Sequence, residues 1–180
     1  IIDTNDRTMI GRGLPIHTGG FTNNFEYKGF DLSVFFQWSY GNDVLNANRL
    51  FFDSGFQKKR ELNQYASYTD RWTPENPNSN IPAATNSSSN LVISSRVVED
   101  ASFLRLKTVT LGYTVPKTFL KKYKIDNARL YVAAQNLWTI TGYSGYDPEV
   151  SIRSGGLTPG LDFSSYPRAL SVSFGINLGF

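Results

Sequence analysis

The sequence predicts an all-β fold: an antiparallel transmembrane β-barrel segment that supplies about five strands of a larger barrel. Three observations predict it. Apolar and polar residues alternate with period two in five separate stretches, residues 18–27, 30–40, 102–115, 128–140 and 169–180. The apolar sides of these stretches end in aromatic rings. Short and long connectors alternate between them, and residues 1–17, 41–96 and 141–167 read as extracellular loops.

The chain opens with the turn signals "TND" and "GRGLP". In the first strand Phe21, Phe25 and Tyr27 share a face with Asn23, and Gly20, Thr22, Asn24 and Glu26 share the other. In the second, Phe30, Leu32, Val34, Phe36, Trp38 and Tyr40 lie together, opposite Asp31, Ser33, Phe35, Gln37 and Ser39. A two-residue turn at Lys28-Gly29 pairs Tyr27 with Phe30, Phe25 with Leu32, Asn23 with Val34 and Phe21 with Phe36, which puts both apolar sides on one face.

Residues 41–96 are irregular, with short helices expected around 42–52 and 58–68 amid Pro, Asn and Ser. The third strand has Val109, Leu111, Tyr113 and Val115 on one face. Continued upward, that face would hold Arg105 and Lys107, whereas the opposite phase gives Leu104 and Leu106. A cation facing lipid at the midplane costs about 2–4 kcal/mol. The conflict predicts either a bulge near Lys107 and Thr108 or both cations at the outer headgroups. Pro116 stops the strand, and "KTFLKKYKIDN" follows as a short connector. The fourth strand aligns Leu130, Val132, Ala134, Trp138 and Ile140. The fifth aligns Leu170, Val172, Phe174, Ile176, Leu178 and Phe180 against Ala169, Ser171, Ser173, Gly175, Asn177 and Gly179.

From Phe30 to Tyr40, at about 3.4 Å per residue and a tilt of about 40–45°, the strand rises roughly 25 Å along the membrane normal. That is the height of an outer-membrane barrel's apolar band. Tyr27, Phe30 and Tyr113 fall at one boundary, and Trp38, Tyr40 and Trp138 at the other, as interface aromatics. Phe21, Phe25, Leu32, Val34, Phe36, Leu111, Leu130, Val132, Leu170 and Val172 are then lipid-facing. A soluble carbohydrate-binding β-sandwich, with the same residues forming a core, is the rival from pattern alone. A non-transporting barrel, such as an adhesin or structural protein, is another.

The chain has 180 residues, and 14% of them are aromatic. With no cysteine and one histidine, His17, neither a disulfide scaffold nor a zinc site has support, and no cofactor is expected. His17 reads as a loop residue. The net charge is +3, and Lys117, Lys121, Lys122, Lys124 and Arg129 crowd together. No nucleic-acid motif accompanies them, so no nucleic-acid partner is expected, and the cluster reads as a solvated connector or one close to lipid phosphates. Asp147 and Glu149 in "YDPE" read as a turn rather than as a catalytic pair or Ca²⁺ site. Nothing predicts an enzyme. Trp72, Tyr143, Tyr146 and Tyr166, with that turn, are the loop residues placed where a lid or substrate could touch.

The segments "DRTMIGRGLP", "GGFTNNFEYKGFDLSVFFQWSYGNDVLNANR", "ASFLRLKTVTLGYTVP", "ARLYVAAQNLWTITGYSGYDPEV" and "YPRALSVSFGINLGF" together resemble the C-terminal barrel of SusC/RagA-family TonB-dependent transporters of Bacteroidetes outer membranes. The resemblance covers nearly all of the chain except residues 53–95. It implies a 22-stranded barrel with an N-terminal plug, a SusD-like lipoprotein lid, and TonB-driven uptake of glycans or peptides, with this chain as barrel wall and loops. Phe174, Ile176, Leu178 and Phe180 resemble the strand signal read by the barrel-assembly machinery. Five strands enclose no lumen, so transport belongs to the longer protein.

Overall fold

The computed structural model describes residues 6–55, 63–85, 91–152 and 159–180. Contacts divide the chain into two units. One comprises residues 17–40, 102–142 and 168–180, and the other residues 1–16, 41–101 and 143–167.

The first unit is the wall. Strands β1 (His17–Tyr27) and β2 (Phe30–Tyr40) form a hairpin closed by Lys28 and Gly29, whose φ angles of 48° and 86° are the two positive values a primed turn requires. The pairings are those expected: Tyr27 with Phe30, Phe25 with Leu32, Asn23 with Val34 and Phe21 with Phe36. His17 is not a loop residue, because it opens β1 opposite Tyr40.

The sheet continues through β5 (Phe103–Thr114), β6 (Asn127–Thr141) and β8 (Ser171–Gly179) in the order β1-β2-β5-β6-β8, with antiparallel pairing throughout. The phase conflict in the third stretch is resolved by a bulge. Phe35 pairs with Thr108 and Phe36 with Leu106, so Lys107 is the extra residue. Leu104 and Leu106 thereby join the face of Trp38 and Phe36, and Arg105 moves to the other face. On β6, Leu106 pairs with Trp138 and Thr108 with Gln135. Asn136 takes a left-handed φ of 55° there, and its amide donates to the Ala169 carbonyl at 2.9 Å. Such bulges re-aim side chains without ending a strand.

The opposite face is knitted together where glycine leaves room. Arg129 of β6 reaches over Gly112 of β5 to Asp31 of β2, donating from Nε at 2.9 Å and from Nη2 to the other carboxylate oxygen. A β-carbon at Gly112 would meet both side chains. One at Gly175 would strike the Tyr131 ring, which the Arg129 guanidinium overlies at 5.3 Å.

The second unit holds a small sheet within the stretches expected to be loops. Strand β3 (Asp43–Asn46) pairs antiparallel with β4 (Val98–Asp100) and parallel with β7 (Leu161–Asp162). The expectation of helix over 42–52 is half corrected: 43–46 is strand, and α1 (Ala47–Phe52) follows, capped by the Asn46 side chain accepting from the Arg49 N–H. Part of the helix expected over 58–68 lies outside the described residues, and Ala66–Asp70 is a 3-10 turn. Val44, Ala101 and Tyr143 form this unit's buried apolar cluster. Between β5 and β6 runs a helical turn, α2 (Lys117–Leu120), then a 3-10 turn at Lys121–Tyr123.

Candidate functional site

Two surfaces carry the functional argument, one in each unit. The first is the apolar face of the wall, where the strand register assembles rows that cross the sheet. Tyr27, Phe30, Tyr113, Leu130 and Ile176 make one row. Phe25, Leu32, Leu111, Val132 and Phe174 make the next, and Val34, Val109, Ala134 and Val172 the one above. Phe21, Phe36, Leu106 and Trp138 follow, with Trp38, Leu104 and Ile140 beyond. Leu170 lies just before β8.

No second layer covers this face among the described residues. On the edge strands Phe174 is 82% exposed, Ile176 64%, Phe25 59% and Val172 49%, while Leu32, Val34, Phe36 and Trp38 of β2 are half-buried. A soluble sandwich would bury these side chains against a second sheet, and burial of a large apolar side chain is worth about 1.5–3 kcal/mol in water. A run of exposed apolar rows of this size demands an apolar surrounding. Rings occupy both ends of the face. Phe30 and Tyr113 meet at one end, ring centroids 4.6 Å apart and planes tilted by 41°. At the other, the Trp38 indole N–H donates to His17 Nδ1 at 3.1 Å, and the His17 ring stacks on Tyr40 at 5.1 Å. His17 thus gives the Trp38 indole a polar partner, which the sequence reading missed.

The second surface is an open cleft of about 420 Å³ in the other unit, lined by Asn46, Asn48, Arg49, Tyr65, Ser67, Ser144, Gly145 and Tyr146. Four of its lining residues, Asn46, Arg49, Ser67 and Ser144, are tied to a charge network. Asp53 is fully buried and faces Arg49 at 3.4 Å, Arg96 at 3.7 Å and the Ser67 hydroxyl at 3.2 Å. Glu99 accepts from the Ser144 N–H and hydroxyl, both at 2.9 Å, from the Asn46 amide at 3.1 Å and from Arg49 at 3.4 Å. Burial alone would push the Glu99 carboxyl up, but the Ser144, Asn46 and Arg49 hydrogen bonds outweigh it and hold the group below the usual carboxylate range. Burial lowers Arg96, against the pull of Asp53. Two arginines thus meet two carboxylates, leaving a nearly neutral rim of amides, hydroxyls and tyrosine rings. Such a rim binds by hydrogen bonds and stacking. Among the described residues no acidic or histidine cluster could hold a metal ion.

Of the loop residues expected to face a lid or substrate, Tyr146 lines the cleft and is 84% exposed. Tyr143 is buried instead. Its hydroxyl donates to Asp162 at 2.6 Å, and burial together with that carboxylate pushes the phenol well up. Asp147 is also buried, and its carboxylate accepts the Glu149 N–H at 2.9 Å, so "YDPE" is a turn. Trp72 and Tyr166 are exposed and do not line the cleft. Asn46, Asn48, Arg49, Tyr65, Ser67, Ser144 and Glu99 went unforeseen. The amide-rich "NDVLNANR" was the one local hint of them.

No family model matches the sequence. TonB-dependent receptor P3 of Formosa agariphila is 39% identical over 184 residues, spanning 99% of this chain and 18% of the relative. TonB-dependent receptor SusC of Bacteroides thetaiotaomicron is 28% identical over 99% of this chain and 16% of its own length. Among solved structures, that of the RagAB peptide transporter superposes with a TM-score of 0.76 at 31% identity, over 91% of this chain and 17% of that one. The chain therefore spans less than a fifth of the length of these relatives.

Proposed function

We propose that the chain is one segment of a TonB-dependent receptor and forms barrel wall and surface loops of an importer in the bacterial outer membrane. The observation that carries this reading is the uncovered apolar face with rings at both ends, backed by a polar opposite face. Lipid covers the first, and water or the plug the second. The importer takes up glycans or peptides through the complete barrel, under a SusD-like lipoprotein lid and with energy delivered by TonB to parts of the protein beyond this chain. The peptide arm has the support of the RagAB likeness. The cleft of Arg49, Tyr65 and Tyr146 is where this segment meets lid or substrate, and its neutral, amide-rich chemistry suits a peptide backbone or sugar hydroxyls. Phe174, Ile176, Leu178 and Phe180 form the strand that the assembly machinery reads.

Site-directed spin labelling of the full-length receptor in liposomes tests the membrane assignment. A nitroxide at Val132 should be relaxed by oxygen, and one at Ser173 by a water-soluble nickel chelate. If both labels met the chelate equally, the wall assignment would fail.

A further inference from the structure

The connector from β5 to β6 plays no part in the wall's ladder, yet it is built with care. The α2 turn packs against β6, and Leu120 is only 7% exposed. Ala128, the second residue of β6, is 6% exposed. Ala128 belongs to the apolar face, since it pairs with Leu178 and alternates with Leu130 and Val132. Its neighbours Leu130 and Leu178 on that face are 46% and 51% exposed. The one buried residue in that array therefore lies on the strand against which the turn packs. Burial of Ala128 among exposed neighbours, on the strand the turn packs against, points to a connector lying at the apolar side of the wall.

Backbone hydrogen bonds hold it there. The Val115 N–H donates to the Ala128 carbonyl at 2.9 Å, and the Asp126 N–H donates to Gly179 at 2.8 Å. Lys124, left-handed at φ 57°, turns the chain back toward β6. What this segment shows to its surroundings is Phe119 at 69% and Tyr123 at 68% exposed. Lys117, Lys121, Lys122 and Lys124 are exposed beside them. Two bare rings set among four ammonium groups, at the edge of a lipid-covered face, are matched to a layer that is oily below and phosphate-rich above. Rings settle at headgroup depth, and lysines reach outward to phosphate.

We propose that residues 117–124 are an interfacial anchor that binds anionic glycerophospholipid headgroups in the leaflet at the short-turn end of the wall. Their charge selects anionic over zwitterionic lipid, because each lysine acts as a point charge needing no fixed geometry. This rests on the barrel reading above.

The test uses the full-length receptor in phosphatidylcholine bilayers, with spin-labelled phosphatidylglycerol and spin-labelled phosphatidylcholine as competing probes. The expected result is a several-fold preference for the phosphatidylglycerol probe, weakening as salt is raised. K117Q/K121Q/K122Q/K124Q should lose most of that preference, and the corresponding four-arginine variant should keep it. Absence of a preference in the wild-type receptor overturns the proposal. So does an unchanged preference in the glutamine variant, including the case in which its lysines instead serve a protein partner. A receptor that does not enter bilayers at all refutes the barrel reading itself, which separates the two failures.

Discussion

Replacing Phe36 with arginine is the sharpest test of which side of the wall meets lipid. Phe36 stacks on Phe21 with ring centroids 4.8 Å apart and planes 17° from parallel. At about 2.5 Å of rise per residue along the membrane normal, it lies roughly 15 Å from the level of Phe30 and 10 Å from that of Tyr40. That depth is close to the midplane, where an arginine costs about 2–4 kcal/mol. The lost ring pair adds about 1 kcal/mol. Phe36→Arg should therefore destabilise the receptor by about 3–5 kcal/mol, a factor of roughly 10² to 10³ or more in the folded-to-unfolded ratio. The comparison needs an arginine on the other face. Gln37 is the obvious neighbour, but it pairs with the buried Arg105, so an arginine there would meet a like charge. Ser33 is the better control. It lies between Asn24 and Thr110 on the polar face, with Asp31 two residues away. Ser33→Arg should shift stability by less than about 1 kcal/mol, in the range of an ordinary exposed substitution. Urea titration of the full-length receptor in lipid vesicles, read by tryptophan fluorescence, measures both. Equal losses for the two variants would refute the assignment of faces.

Other outcomes follow from the same geometry. Tyr143→Phe removes the donor to the buried Asp162 carboxylate and should cost about 1–3 kcal/mol, seen as faster protease cleavage of the surface loops of the intact receptor. Gly175→Ala should push aside the Tyr131 ring and weaken the barrel by about 1–3 kcal/mol, and Tyr131→Ala in the same chain should restore part of the loss in a double-mutant cycle. Because Glu99 is held below its ordinary value, its contribution to loop stability is complete above the usual carboxylate pKa and is lost as pH falls through the lowered one. Acid titration of loop proteolysis should show that loss, and Glu99→Gln should abolish it. On the importer reading, Tyr146→Ala, at a ring that is 84% exposed, should lower substrate uptake by whole cells while leaving the amount of receptor in the outer membrane unchanged.

The wall was legible because its physics is local and periodic. The turn at Lys28-Gly29 fixes a register, and a register fixes every side chain's face, so β1 and β2 could be paired from sequence. The clash between Leu104 and Leu106 on one phase and Val109 and Leu111 on the other announced a bulge. The expected place, near Lys107 and Thr108, is where the extra residue lies, but nothing local said that Asn136 would answer it on β6. The cleft was hidden for a different reason. Strand β3 is four residues long and β7 two, too short for period to show, and their pairing joins Leu45 to Leu161. Tyr143 looked like a surface ring because its carboxylate partner, Asp162, lies 19 residues away in sequence. Glu99 gave no sign that Ser144, Asn46 and Arg49 would converge on it.

Among the described residues the ladders of the two sheets share no strand: β1, β2, β5, β6 and β8 pair with one another, and so do β3, β4 and β7. Substitutions in the cleft-bearing unit can therefore accumulate without disturbing the register of the wall. New clefts can be tried on an old frame. An engineer reshaping the cleft should graft within residues 41–101 and 143–167 and leave the staves alone.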